Sequence, residues 1–189
     1  MDFLHSTFKE IQKPEVRRSE LSECKEMPLP GADNKFHGEV QQKESLSLFE
    51  KTVVKFEQTS WSFNTIEHID TMEEYEVYKE AGLEQKQVGD KVGLVRDDID
   101  FSQKDEFGRT NEERIDANLS PLNKNGETIE LHHVGQKADS PFAELTRDEH
   151  RGAGNDTVLH DKTIKSEIDR GEFQQEKIEY WKTRKEMEA

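Results

Sequence analysis

Residues 127–150 read ETIELHHVGQKADSPFAELTRDEH, and the fold turns on how that run is parsed. Ile129 and Leu131 alternate with polar neighbours, which predicts a strand over residues 127–134. Pro141 to Leu145 is a candidate return strand, separated from the first by a polar turn. The four residues Thr146-Arg147-Asp148-Glu149 then carry a helix-start signature. A threonine at the cap and a glutamate three positions on can satisfy each other's backbone N–H groups. The run therefore predicts strand, turn, strand, helix.

Chemistry-bearing side chains crowd onto the same run and its continuation. Four of seven histidines, His132, His133, His150 and His160, fall in 29 residues, where an even spread over 189 would put about one. Neutral imidazole ligates borderline divalent cations, and a site needs two or three such ligands converging. Neighbours on a strand point to opposite faces, so His132 and His133 cannot both face one way in a regular strand. At a strand end that divergence lets one ring hold a metal while the other addresses a water. His150 would project from the first turns of the helix, and His160 from a later turn or loop.

Phosphodiester hydrolysis suits such a set. A histidine near its ordinary pKa of ~6.5 is a workable general base at neutral pH. A metal would neutralise charge on phosphorus and on the departing 3′ oxygen. Asn155 could orient the base or bind backbone; beside Gly152 and Gly154 it reads equally well as a turn former. His5, His37 and His68 read as surface residues, Asp97, Asp98 and Asp100 as a solvated turn, and Phe173, Ile178 and Trp181 as core.

Working outward, Thr71 is a plausible cap for a helix over Met72 to Ala81, with Glu73 and Glu74 in its first turn and Gly82 as its stop. Gly89-Asp90 between short apolar runs reads as a hairpin ending near Val95. Leu46, Phe49, Val53 and Phe56 form one stripe of an amphipathic helix, and Glu172 to Met187 reads as another helix. Residues 97–130 read as loop-rich, with Gly108, Pro121 and a turn at Asn123–Gly126. Residues 1–43, with Pro14, Pro28, Pro30 and Gly31, are expected to be least structured. The expected division is an N-terminal region, 1–70, partly disordered or a helical linker, and a domain over 71–189.

Composition sets bounds on function. Charged residues make up 37% of the 189 and apolar ones 31%, with Lys+Arg 27 against Asp+Glu 42 and a net charge of −15. Mean hydropathy is −1.03 and the isoelectric point about 4.9. That balance argues against the basic profile of many nucleic-acid binders. No stretch approaches the roughly 20 apolar residues of a membrane span, and residues 1–20 lack a secretory apolar core. The single cysteine, Cys24, excludes an internal disulfide and a four-cysteine zinc ribbon.

The order of motifs is familiar. Phe107-Gly108-Arg109-Thr110-Asn111-Glu112-Glu113-Arg114, then Ile129 to Gln136, Phe142 to His150, Val158-Leu159-His160 and Ser166 to Arg170 through Tyr180-Trp181-Lys182 resemble the LHH group of the HNH/endonuclease VII superfamily. Such domains are C-terminal toxin modules of bacterial polymorphic toxins, including LXG proteins of type VII secretion. The resemblance covers roughly Phe107 to Arg184. It implies an α+β fold with a ββα-metal (HNH-like) nuclease core, additional helices and a short hairpin. It implies metal-dependent cleavage of DNA with a divalent ion (Mg, Mn or Zn), His132 as a metal ligand and His133 as the base that activates water. His150 and His160 take metal or phosphate contacts. Asn155 takes the place of the middle letter of HNH, and Arg109, Asn111 and Arg114 that of phosphate contacts or scaffold, with Gln136 tying the loop. Endonuclease VII itself uses four cysteines for a structural zinc, which this chain cannot supply.

As a toxin the chain would be exported from its producer, act in a target cell's cytoplasm and be neutralised by an immunity protein. An orphan chain, or one bound to that inhibitor, would stay cytoplasmic. The segment before Thr71 shows no LXG-type export pattern, so a trimmed piece, a cassette fragment and an orphan gene product are all open. Two alternatives stand beside the DNase: an RNase toxin of the same fold, and a catalytically inactive HNH-like module that binds protein.

Overall fold

The structure is a computed structural model, and it describes residues 46–56 and 60–188. The chain is α+β, with helices on both faces of a four-stranded sheet. Strand order is β1-β2-β4-β3, with β1 at Glu84–Val88, β2 at Lys91–Val95, β3 at Ile129–His133 and β4 at Phe142–Thr146. β1 and β2 form the expected antiparallel hairpin about Gly89-Asp90, and β3 and β4 form a second. The two hairpins join through the parallel pair β2–β4. All five residues of β4 are buried, as a central strand covered on both faces requires.

The alternation of β4 assigns its two faces. Ala143 and Leu145 point into a core shared with Leu94, Ile66, Ile69, Tyr78 and Leu159. This face is covered by α2 (Phe63–Ile66), α3 (Met72–Glu80) and α6 (Asn155–Leu159). Phe142 points the other way, into a core with Ile129, Leu131, Tyr180 and Trp181, closed by α4 (Asn111–Asp116) and the long α7 (Arg170–Glu186). Trp181 is core, as its spacing with Phe173 predicts.

Local sequence explains most of the boundaries. Thr71 caps α3 by accepting from Glu74 N, and Thr146 caps α5 (Arg147–Arg151) with both halves of the capping box formed. A second capping box, Thr110 with Glu113, starts α4 inside the stretch read as loop. The short helix there was hidden by its flanking turn residues, although its cap carries the same signature as Thr146. Upstream, α1 spans Leu48–Phe56. Of its expected stripe, Leu46 is buried and Val53 exposed, while the side chains of Phe49 and Phe56, like the expectation for residues 1–43, lie outside the described residues. Leu46, Trp61, Ile66 and Ile69 pack in the same core as Leu94 and Leu145, so the described residues before Thr71 join the sheet's own core. All the described residues fall in one compact unit.

Two buried carboxylates tie the layers together. Glu144 of β4 accepts from Tyr180 Oη at 2.8 Å, Arg184 Nε at 3.2 Å and Arg96 N at 2.9 Å, which fastens α7 to the sheet. Glu74 of α3 accepts from Tyr78 Oη and from Gly135 N, both at 2.7 Å, which fastens α3 to the turn after β3. No helix among the described residues is long and apolar enough to cross a membrane.

Candidate metal centre

β3 brings the two adjacent histidines to its end, and the pleat sends them to opposite faces. His132 pairs across the ladder with Ala143 and turns toward α5 and α6. His133 pairs with Phe142 and turns toward α7, its ring packed against Phe142 and Phe173 at centroid distances of 4.6 and 4.8 Å. Directly after them, Gly135 turns the chain at φ 62°, in the left-handed region. A Cβ there would stand 2.1 Å from the carbonyl oxygen of His68, so only glycine fits.

The ββα unit closes on His132. His150 comes from α5, whose capping box fixes where the helix begins, and His160 follows the last residue of α6. One ring nitrogen from each of His132, His150 and His160 lies within 4.8 Å of the others. His150 Nε2 and His132 Nδ1 are 3.1 Å apart. Two nitrogens bound to one cation at ~2.0–2.1 Å stand about 2.9 Å apart at a right angle and about 3.3 Å at a tetrahedral one. The observed spacing lies between these values.

Two of the three rings, His132 and His150, are also biased toward the neutral form. Burial pushes His132 well below the ordinary imidazole pKa, and the neighbouring His150 and His160 push the same way. Burial lowers His150 too, against the opposing pull of Glu130. Neutral imidazoles are the form that ligates. His132 Nε2, the ring nitrogen not aimed at His150, is buried with no hydrogen-bond partner among the described residues. The residues present fit a divalent cation.

Three of the four histidines have a carboxyl-bearing neighbour. His150 Nδ1 is 2.6 Å from Glu130 Oε2, which also accepts from Arg151 Nε at 2.8 Å. Burial raises the Glu130 pKa, but the hydrogen bond from His150 and the Arg151 charge outweigh it, and the net shift is downward. His160 Nδ1 is 3.1 Å from the Asp156 carbonyl oxygen and 3.3 Å from its carboxylate. On the other face, His133 Nε2 stands 3.4 Å from Glu176 Oε2, a contact too long and poorly aligned for a full hydrogen bond. Glu176 is itself ion-paired to Lys91. Burial lowers the His133 pKa; Glu176 pulls it up and Lys91 pushes it down, leaving it below the ordinary value.

His132, His133, His150 and His160 line one cleft, with Gln136 on its wall and Arg170 and Phe173 of α7 across from them. The other residues named from sequence are placed elsewhere. Asn155 opens α6 and donates to the Glu149 carbonyl at 3.0 Å, and it borders a groove beside α3 instead of the histidine cleft. The left-handed backbone next to it belongs to Gly154, at φ 93°, and not to Asn155. Asn111 is completely buried, with its amide donating to the carbonyls of Asp100 and Leu122 and accepting from Leu122 N. Arg109 and Arg114 both clamp Asp105, and Arg114 also donates to the Ser120 carbonyl. These three residues knit the segment before β3 and are not among the residues that line the histidine cleft.

Sequence reasoning missed Glu130, Glu176 and Arg170 as members of the site. Glu130 was legible in part: it precedes His132 by two and so shares its face. Glu176 and Arg170 reach the site only through the packing of α7, which no local signal reports.

Residues 110–187 match the family LHH, a nuclease of the HNH/ENDO VII superfamily with conserved LHH. The run LHH occurs once in this chain, as Leu131-His132-His133 at the end of β3. No solved structure matches the chain.

Proposed function

We propose that this chain, whose residues 110–187 match the LHH family of the HNH/ENDO VII nuclease superfamily, is a divalent-cation-dependent nuclease that cuts DNA. The observation that carries the reading is the convergence of His132, His150 and His160 to within 4.8 Å in a cleft that His133 also lines. The three imidazoles would hold the cation, which when bound supplies a Lewis acid for the charge on phosphorus and on the 3′ oxygen. Imidazole donors suit a borderline cation such as zinc better than magnesium, whose preference is for oxygen.

His133 is the general base. Its burial keeps the ring neutral, and Nδ1 makes no hydrogen bond among the described residues, so it is the nitrogen that takes the proton of the attacking water. Nε2 faces Glu176, whose charge balances the imidazolium that results. Arg170 sits in the first turn of α7 at the cleft, exposed and with no ion pair among the described residues, and it is the natural contact for a substrate phosphate. Arg151, also at the cleft, is already engaged by Glu130. DNA is preferred over RNA because the sequence carries no aromatic base-stacking signature of the RNA-recognition kind.

The resemblance to polymorphic-toxin modules extends the reading to biology: a toxin exported by its producer, acting in the target cytoplasm and held in check by an immunity protein. The acidic surface implied by the net charge of −15 is suited to a protein partner.

One pair of proteins tests the reading in both settings. Wild type is expected to nick supercoiled plasmid, with His133→Ala slower by about 10²–10⁴-fold, and to arrest growth of a bacterial host that the variant leaves growing. Equal rates in the two proteins would overturn the role of His133. Cleavage of RNA with plasmid untouched would overturn the choice of substrate.

A further inference from the structure

Glu130 has no place among the ligands or the base, yet it makes the shortest contact any triad histidine makes, 2.6 Å from Oε2 to His150 Nδ1. An ionised carboxylate can only accept a hydrogen bond. His150 Nδ1 therefore carries the proton, and the lone pair is left on Nε2. That is the nitrogen 3.1 Å from His132 Nδ1, on the inside of the triad. Both ends of this contact are held. Glu130 lies inside β3, two residues before His132 and on the same face, in register with Leu145. His150 lies on α5, whose start is locked by the reciprocal Thr146–Glu149 hydrogen bonds, and Glu149 is in turn bound by Arg96.

We propose that Glu130 is a positioning residue for cation binding, which fixes the tautomer and orientation of His150 and makes its Nε2 a better donor. The inference rests on the reading of the triad as a cation site. It extends the rule that a ligating histidine gives its second N–H to a carboxylate, a partner worth about 10–100-fold in metal affinity. Arg151 supplies the internal contrast. It donates to the same oxygen of Glu130 at 2.8 Å, so a purely structural Glu130–Arg151 ion pair would make the two residues equivalent. A tautomer-fixing role does not, because Arg151 makes no hydrogen bond to the imidazole.

The test is zinc affinity of the full chain, read by competition with a chromophoric chelator. The expected result is a 10–100-fold weaker affinity for Glu130→Gln than for wild type, with Arg151→Ala close to wild type. A second measurement on the zinc-free wild type needs no variant: long-range ¹H–¹⁵N spectra of the histidine rings, in which His150 is expected as the Nδ1–H tautomer. Glu130→Gln binding zinc as tightly as wild type, equal losses in Glu130→Gln and Arg151→Ala, or His150 as the Nε2–H tautomer would each overturn the inference while leaving the triad standing. A wild type that takes up no zinc would overturn both.

Discussion

At the scale of single residues, several charged groups among the described residues are held in close pairs, and stability below neutral pH should show it. Asp105 is the clearest case, clamped by Arg109 and Arg114 and bonded by the backbone N–H groups of Phe107 and Arg109. Burial alone would raise its pKa, but those donors outweigh it and hold the carboxyl at about 2, below the ordinary 3.8. A carboxyl whose pKa is lowered by folding stabilises the folded state fully above its unfolded value. That contribution drains away as pH falls from near 3.8 to about 2. Urea unfolding of wild type and Asp105→Asn is expected to show a gap in stability at pH 5 that narrows through this window. A gap that stays constant down to pH 2 would contradict the account of Asp105. The same clamp shows what the sequence left open for Arg109 and Arg114, read there as phosphate contacts or scaffold. Their motif was visible, but nothing local said that both would turn to one aspartate, and the complete burial of Asn111 was equally invisible.

At the scale of elements, the pieces that hold the site were the most legible part of the chain. Thr146 and Glu149 announced α5, the Ile129/Leu131 alternation announced β3, and the pleat rule already placed His132 and His133 on opposite faces. What sequence could not supply was the element lying across each face. Glu176 meets His133 from 43 positions downstream only because α7 docks on that side of the sheet. The turn at Gly135 is the corresponding device on the other face, where Gly135 N bonds Glu74 and the His68 carbonyl fills the space a Cβ would need. Gly135→Ala is expected to lose roughly 1–2 kcal/mol for the left-handed backbone alone. The further cost of moving the His68 carbonyl that a Cβ would meet at 2.1 Å adds to it. Denaturant midpoints measure this directly, and an unchanged midpoint would mean the turn is not the constraint it is taken to be.

At the scale of the whole molecule, a sheet of four short strands holds one site by being covered on both sides. Helices α2, α3 and α6 close the face of His132, and α4 and α7 close the face of His133. The buried Glu144, bonded to Tyr180 and Arg184, keeps α7 against the sheet, and with it Glu176 beside His133 and Arg170 at the cleft. The net charge of −15 fits this arrangement once the site is local. Charge summed over the chain governs long-range steering, while a cation held by the three imidazoles, in the cleft that Arg170 also lines, would make positive ground locally. Binding to nucleic acid should then depend on the metal. The most direct test is plasmid cleavage by wild type stripped with a chelator, dialysed, and titrated with zinc or manganese. Cleavage is expected to vanish on stripping and to return as the cation refills the site at His132, His150 and His160. Full activity in the stripped protein, with no bound metal detectable, would contradict the account.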